Sequence, residues 1–140
     1  PAPFNGGESN DFSFSGIKTA VVNLLHNSEQ KGEVLNKADV AASFQRAVAD
    51  IVTMKSVRAA LREKSSVLAL AGGVSANNVL RTRLQTECDR NGIRFCRPDM
   101  RFCTDNAAMI ACQGYYMLRS GEVSGLDLNP SAAEFLSEGR

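Results

Sequence analysis

Gly72, Gly73 and Asn77 form the first of two segments whose residue types and spacing could bind a ligand. Because glycines lack a Cβ atom, a ligand can approach their backbone closely, and a helix start beyond them would suit a phosphate or a polarised ribose. The amide of Asn77 could bind the ribose or the base of a nucleotide. An ordinary loop, with Asn77 bonded to its own backbone, explains the same residues, and neither GxGxxG nor GxxxxGK[ST] occurs.

Thr104, Asp105 and Asn106 form the second segment, which opens a helical pattern. The Asp105 carboxylate could bind a metal ion. Capping of the helix by Thr104 or Asp105 is the structural alternative. The chain contains one histidine, His26, and no second acidic residue adjoins Asp105. Any metal site at Asp105 must therefore draw ligands from elsewhere.

The elements around the glycines predict an α/β fold. The apolar run Val67–Ala71 predicts a buried strand, and Ser75 is the expected N-cap of a helix that ends before Asn91-Gly92. Ile93–Cys96 predicts a second strand, and a strand–helix–strand unit implies parallel pairing. The Gly-Gly turn then lies at the carboxyl end of a strand, where open α/β sheets bind their ligands.

The remaining patterns predict supporting elements. Phe12–Ser15 alternates apolar and polar residues, which favours a strand closed by Gly16, and Ile17–Leu25 is helical in pattern. A long helix is expected from Asp39, as its cap, to about Arg62, with Phe44 anchoring it in the core. A last helix should begin in the Thr104–Asn106 segment and end near Arg119.

Composition narrows the class of protein. With 140 residues, 44% of them hydrophobic, the chain can bury one core, and no apolar run approaches the roughly 20 residues of a membrane span. The net charge of +1 does not indicate any class of partner. The six arginines between residues 81 and 101 favour solvated helix and loop faces, and a local basic face is the alternative. Four cysteines match no zinc pattern, so reduced intracellular thiols are expected. Because the chain does not begin with Met, we expect it to be part of a longer protein.

Three motifs together resemble one family: Phe12 to Thr19, Ala71 to Asn77, and Cys103 to Ala111. In this order they resemble the universal tRNA threonylcarbamoyladenosine synthase family, TsaD, long labelled O-sialoglycoprotein endopeptidase or Gcp. The resemblance implies an actin-like ATPase fold, related to sugar kinases, Hsp70, actin and ribonuclease H. Residues 12–140 would be the carboxyl-terminal part of that fold, and residues 1–11 a loop or linker.

The resemblance also implies an activity. Family members transfer threonylcarbamoyl from threonylcarbamoyl-AMP to N6 of adenosine 37 in tRNAs that read codons beginning with A. The expected compartment is the cytoplasm or, in a eukaryote, the mitochondrion, with no membrane. The expected partners are tRNA and the other threonylcarbamoyladenosine-synthesis proteins, including a paralogous actin-like subunit.

Through these motifs, the resemblance also implies roles for individual residues. Gly72 and Gly73 look like the nucleotide-contacting turn of the family, and Asn77 looks like the asparagine that binds the adenylate. Asp105 looks like the aspartate that coordinates one divalent metal ion per full-length subunit, iron or zinc. The resemblance assigns no catalytic residue.

The chain departs from the family pattern in two places. The His-x-x-x-His metal pair and the phosphate loop of the family precede this region, and neither occurs here, so we expect the chain alone to be inactive. A phosphotransferase resembling sugar or acetate kinases, with the same superfold, is one alternative. A non-catalytic paralogue or half-domain that scaffolds a complex is another.

Overall fold

The computed structural model describes residues 10–129, which divide into two compact units at Thr104 and Asp105. Residues 1–9, most of the expected linker, lie outside the described part. In residues 10–104, the first unit contains three α-helices and two strands: α1 (Ser15–Gln30), α2 (Lys37–Arg62), β1 (Val67–Ala69), α3 (Asn78–Arg90) and β2 (Arg94–Cys96). The second unit contains α4 (Ala107–Ser120). Within residues 10–129, no helix is long and apolar enough to cross a membrane.

The two strands form a parallel pair, as predicted. Leu68 lies opposite Phe95, and the two strands are connected through α3. Strand β1 is shorter than the predicted Val67–Ala71. The last bond along this edge runs from Leu70 N to Cys96 O at 2.9 Å. Beyond it β2 runs into Pro98, which has no backbone N–H to continue a ladder. The α/β class is therefore confirmed in its coarse form.

The core of the first unit lies between α2, α3 and the sheet. Two buried clusters share the partly buried Leu68 and Phe95, and their buried members are Ala49, Leu80 and Leu84 in one and Val57, Cys88 and Ile93 in the other. The predicted core anchor, Phe44, is instead 42% exposed. That prediction was wrong because the part of α2 that contributes buried residues to these clusters begins at Ala49, more than a turn after Phe44.

The predicted amino-terminal strand is also wrong. Phe12 and Phe14 lie in irregular backbone, and their rings stack with centroids 6.0 Å apart. In a strand, successive side chains point to opposite faces, and the backbone needs a neighbouring strand for its hydrogen bonds. Among the described residues β1 pairs only with β2, so the alternation at Phe12–Ser15 has no strand to complete it. Helix α1 begins at Ser15 and continues past Leu25 to Gln30.

The long helix is capped by a different residue from the one predicted. Asn36 is in extended backbone, with ψ 112°, and its side chain accepts a hydrogen bond from Ala38 N at 2.9 Å. Asp39 lies within the first turn instead, where a carboxylate still interacts favourably with the helix dipole. The predicted stop at Asn91-Gly92 is confirmed, since α3 ends at Arg90 and Gly92 has a φ of +68°.

Candidate functional site

The glycine turn lies directly after the β1 edge, where the sequence predicts it. Gly72 has φ 79° and ψ 177°, a conformation that is essentially restricted to glycine. The chain then makes a short 3-10 turn, Gly73–Ala76, closed by a bond from Ser75 N to Gly72 O at 2.9 Å. Ser75 was predicted to cap the following helix, but it lies inside this turn and is fully buried. A residue within a helical turn cannot hold the extended backbone that a cap requires.

The outer side of the turn is open. Gly72 and Gly73 are both exposed, and a Cβ atom built on either would meet no atom within 4 Å. Val74 follows with 67% of its surface exposed. A flat ligand can therefore lie against this backbone without displacing a side chain. These residues fit the approach of a nucleotide.

Asn77 is the N-cap of α3. Its Oδ1 atom accepts a hydrogen bond from Leu80 N at 3.0 Å and a second from Gln45 Nε2 at 3.3 Å. The structure thus contains the backbone bond that was the alternative explanation for Asn77. Because the oxygen is engaged twice, the Nδ2 group is the part of this amide that a ligand can use, as a donor.

A buried arginine supports the turn from beneath. Arg81 is 7% exposed, although the sequence predicted solvated faces for the arginines of this region. Its Nε donates to the Ser75 carbonyl, and its Nη2 donates to the Pro98 carbonyl and lies 3.2 Å from Cys103 Sγ. One feature of the sequence could have indicated this burial. Arg81 lies one residue after Leu80 and three before Leu84, on the inward face of α3.

Asp105 begins the second unit and is exposed. The cap of α4 is Asn106, whose Oδ1 accepts from Met109 N at 3.0 Å. Capping by Thr104 or Asp105 is therefore wrong, because Asn106 has the extended ψ of 148° that a cap needs. Within residues 10–129, no group of three or more His, Cys, Asp or Glu side chains could hold a metal ion. The described residues alone do not fit a complete metal centre.

The four thiols are unpaired, as the sequence predicts. Cys88 and Cys103 are buried, whereas Cys112 is exposed. Burial raises the pKa of the Cys88 thiol above its ordinary value of 9.0, and the carboxylates of Asp89 and Glu87 raise it further. A buried thiol with a raised pKa is a poor nucleophile, so Cys88 belongs to the core and not to a reactive site.

Comparison with known proteins points to one family. The family model for TsaD, tRNA N6-adenosine threonylcarbamoyltransferase, matches residues 1–112. A protein of that name from Clostridium botulinum (strain Kyoto / Type A2) is 48% identical over 119 residues, 85% of this chain and 35% of the relative. A protein of the same name from Staphylococcus haemolyticus (strain JCSC1435) is 49% identical over 122 residues, 87% of this chain and 36% of the relative. The chain spans about a third of the length of these curated relatives.

Proposed function

This chain belongs to the tRNA N6-adenosine threonylcarbamoyltransferase family, TsaD, and on that premise we propose that it is the carboxyl-terminal part of a tRNA-modifying transferase. The whole enzyme would transfer threonylcarbamoyl from threonylcarbamoyl-AMP to N6 of adenosine 37 in tRNAs that read codons beginning with A. The observation that carries the proposal is the open glycine turn at the carboxyl edge of β1, followed by Asn77, inside the matched region.

In this proposal the turn binds the adenylate. Gly72 and Gly73 allow the nucleotide to lie against the backbone, since no side chain projects from either residue. Asn77 Nδ2 donates a hydrogen bond to an oxygen or ring nitrogen of the nucleotide, while Oδ1 keeps α3 capped. The same residue thus orients the ligand and fixes the start of the helix.

Asp105 would supply one oxygen ligand to a divalent ion, iron or zinc. Its exposure supports this role, and so does its freedom from capping, which Asn106 performs. Its other ligands would come from outside the described residues. A bound divalent ion would supply electrostatic stabilisation of negative charge at the reacting group. We assign Asp105 the role of ligand only.

The wider setting follows from family membership. We infer an actin-like ATPase fold for the whole protein, with the parallel β1–β2 pair as part of its sheet. tRNA is the macromolecular substrate, and the other threonylcarbamoyladenosine-synthesis proteins, including a paralogous actin-like subunit, are the partners. The cytoplasm is the expected compartment, or the mitochondrion in a eukaryote.

A reconstituted reaction tests the proposal. The full-length protein that contains this chain would be mixed with threonylcarbamoyl-AMP, unmodified tRNA and its partner proteins, and the nucleosides would be analysed by mass spectrometry. We expect threonylcarbamoyladenosine, and loss of both metal and product in Asp105→Asn. Asp127→Asn is the matched control, because Asp127 is another exposed carboxylate of the second unit. Transfer of phosphate from ATP to a sugar or acetate, with no modified tRNA, would contradict the proposal.

A further inference from the structure

The guanidinium of Arg81 lies beneath the glycine turn, and Arg81 is not one of the site residues expected from the sequence. We propose that Arg81 is a positioning residue that holds the turn Gly72–Ala76 in its ligand-binding conformation. The inference rests on the proposed function of that turn and adds a residue to it. Arg81 does not touch the ligand in this proposal; it acts through Ser75.

Because Arg81 is buried, the loss of its hydrogen bonds would be energetically costly. The residue is 7% exposed, and no ion pair in residues 10–129 includes it. Taking a guanidinium out of water is costly unless its N–H groups are satisfied. Here the Ser75 and Pro98 carbonyls and the Cys103 sulfur surround it. Two of these three contacts are to backbone carbonyls, so each of those two bonds fixes a point of the main chain.

Ser75 is the point at which the turn is held. Its side chain is fully buried, and its Oγ atom has no hydrogen-bond partner among the described residues. The main chain of Ser75 is bonded instead: its N–H donates to Gly72 O at 2.9 Å, and its carbonyl accepts from Arg81. Without Arg81, the Ser75 carbonyl would be a buried acceptor with no donor, and the turn would move to satisfy it.

The second anchor explains why the residue is an arginine. The glycine turn follows β1, and Pro98 and Cys103 follow β2, so both segments leave the carboxyl edge of the same parallel pair. A helical side chain reaches back toward the start of its own helix, which places the Arg81 head between them. The planar fork of a guanidinium offers donors in several fixed directions, whereas a lysine ammonium is a point charge on a flexible stem.

Substitutions at two arginines of the same helix separate positioning from simple stabilisation. In the full-length protein we would compare Arg81→Met and Arg81→Lys with Arg83→Met and Arg83→Lys. Arg83 lies on the same helix but is part-exposed and pairs with Asp50 of α2. AMP is the probe, with its affinity measured by calorimetry at a temperature at which every variant is folded. We expect affinity at least tenfold lower in Arg81→Met, an intermediate loss in Arg81→Lys, and less than a twofold change in both Arg83 variants.

Kinetics and amide exchange give readouts that lowered stability alone would not change. We expect KM for threonylcarbamoyl-AMP to rise more than kcat falls, and hydrogen exchange at residues 73–76 to become faster in folded Arg81→Lys. Folded Arg81 variants with wild-type AMP affinity would overturn the inference, as would loss of folding in both. If only Arg81→Met fails to fold, Arg81→Lys decides. If the wild-type protein itself neither binds AMP nor modifies tRNA, the proposed function fails, and amide exchange alone then tests the hold of Arg81 on the turn.

Discussion

Gln45, on α2, donates through Nε2 to the Oδ1 atom of Asn77, 3.3 Å away at the start of α3. The same oxygen accepts the backbone N–H of Leu80 at 3.0 Å. One atom of the amide therefore stabilises the packing of two helices and the start of one of them. The nitrogen of the amide is left for the ligand that we propose, so the structural role of Asn77 and its proposed binding role can be separated by substitution.

Asn77→Asp should retain the fold and lose the ligand. An aspartate caps a helix about as well as an asparagine, so the free energy of unfolding should change by less than about 0.5 kcal/mol. The substitution removes the Nδ2 donor and adds negative charge, which opposes an anionic nucleotide. Calorimetric titration with AMP and urea unfolding of the full-length protein would measure the two effects.

Asn77→Ala is a second test variant for that pair of measurements, and Gln45→Ala is the matched control. Asn77→Ala should lose about 0.5 to 2 kcal/mol of stability with the cap and weaken adenylate binding by about 1 to 3 kcal/mol. Gln45→Ala should leave AMP affinity unchanged, because it removes a partner of Oδ1 only. Wild-type AMP affinity in Asn77→Asp would exclude Nδ2 as a ligand contact.

Gly73→Val should block the nucleotide while sparing the fold. The position has open space around a Cβ atom and no positive φ, so the side chain fits the protein and occupies the surface at which the ligand would lie. Gly72→Ala should in addition lose about 1 to 3 kcal/mol of stability, because Gly72 has a φ of +79°. AMP titration and urea unfolding of both variants would check this. Undiminished affinity in Gly73→Val would remove the turn from the site.

The Cys88 thiol should make stability fall at high pH. Burial, and then Asp89 and Glu87, raise its pKa above the ordinary value of 9.0. The unfolded chain loses this proton first, so the free energy of unfolding is undiminished below about pH 9 and falls as pH rises toward the folded pKa. Urea unfolding between pH 7 and 10 should show a steeper fall in wild type than in Cys88→Ala. Cys112→Ala, at an exposed thiol, should retain the wild-type slope; equal slopes in all three proteins would contradict the prediction.

The strand–turn–helix–strand unit could be predicted because its signals are local. An apolar run, two glycines and the Asn91-Gly92 stop each favour one conformation over a few residues. The caps were misplaced by only one to three residues. Ser75 and Asn77 are both good capping residue types, and the choice between them depends on which one has extended backbone. The short turn at Gly73–Ala76 decides this, and a propensity cannot show it.

Positions set by distant parts of the chain could not be predicted. Phe44 is exposed because α3 and the sheet cover a later part of α2. Arg81 can be buried because two backbone carbonyls from different loops accept hydrogen bonds from its guanidinium. Residue type alone predicts the opposite for both, since phenylalanine is usually buried and arginine usually exposed. The sequence therefore predicted the glycine turn at the end of β1 and missed the buried Arg81 that contacts it.

On its own, the 140-residue chain should neither retain a metal ion tightly nor transfer threonylcarbamoyl. Asp105 supplies one carboxylate, and zinc or iron centres usually have at least three protein ligands, commonly with imidazole among them. The one histidine, His26, lies on α1 and is hydrogen-bonded to Gln30 at 3.0 Å. A single exposed carboxylate binds a divalent ion weakly and loses it to buffer.

Metal analysis after desalting would check this, with the full-length protein purified in parallel. We expect a metal ion in the full-length protein, less than a tenth as much in the isolated chain, and no modified adenosine when the chain is mixed with tRNA and the adenylate. Asp105→Ala should remove metal and activity together from the full-length protein and change nothing in the isolated chain. Stoichiometric iron or zinc in the isolated chain, lost on Asp105→Ala, would mean that these 140 residues contain a complete centre and would contradict the expectation that its ligands come from elsewhere.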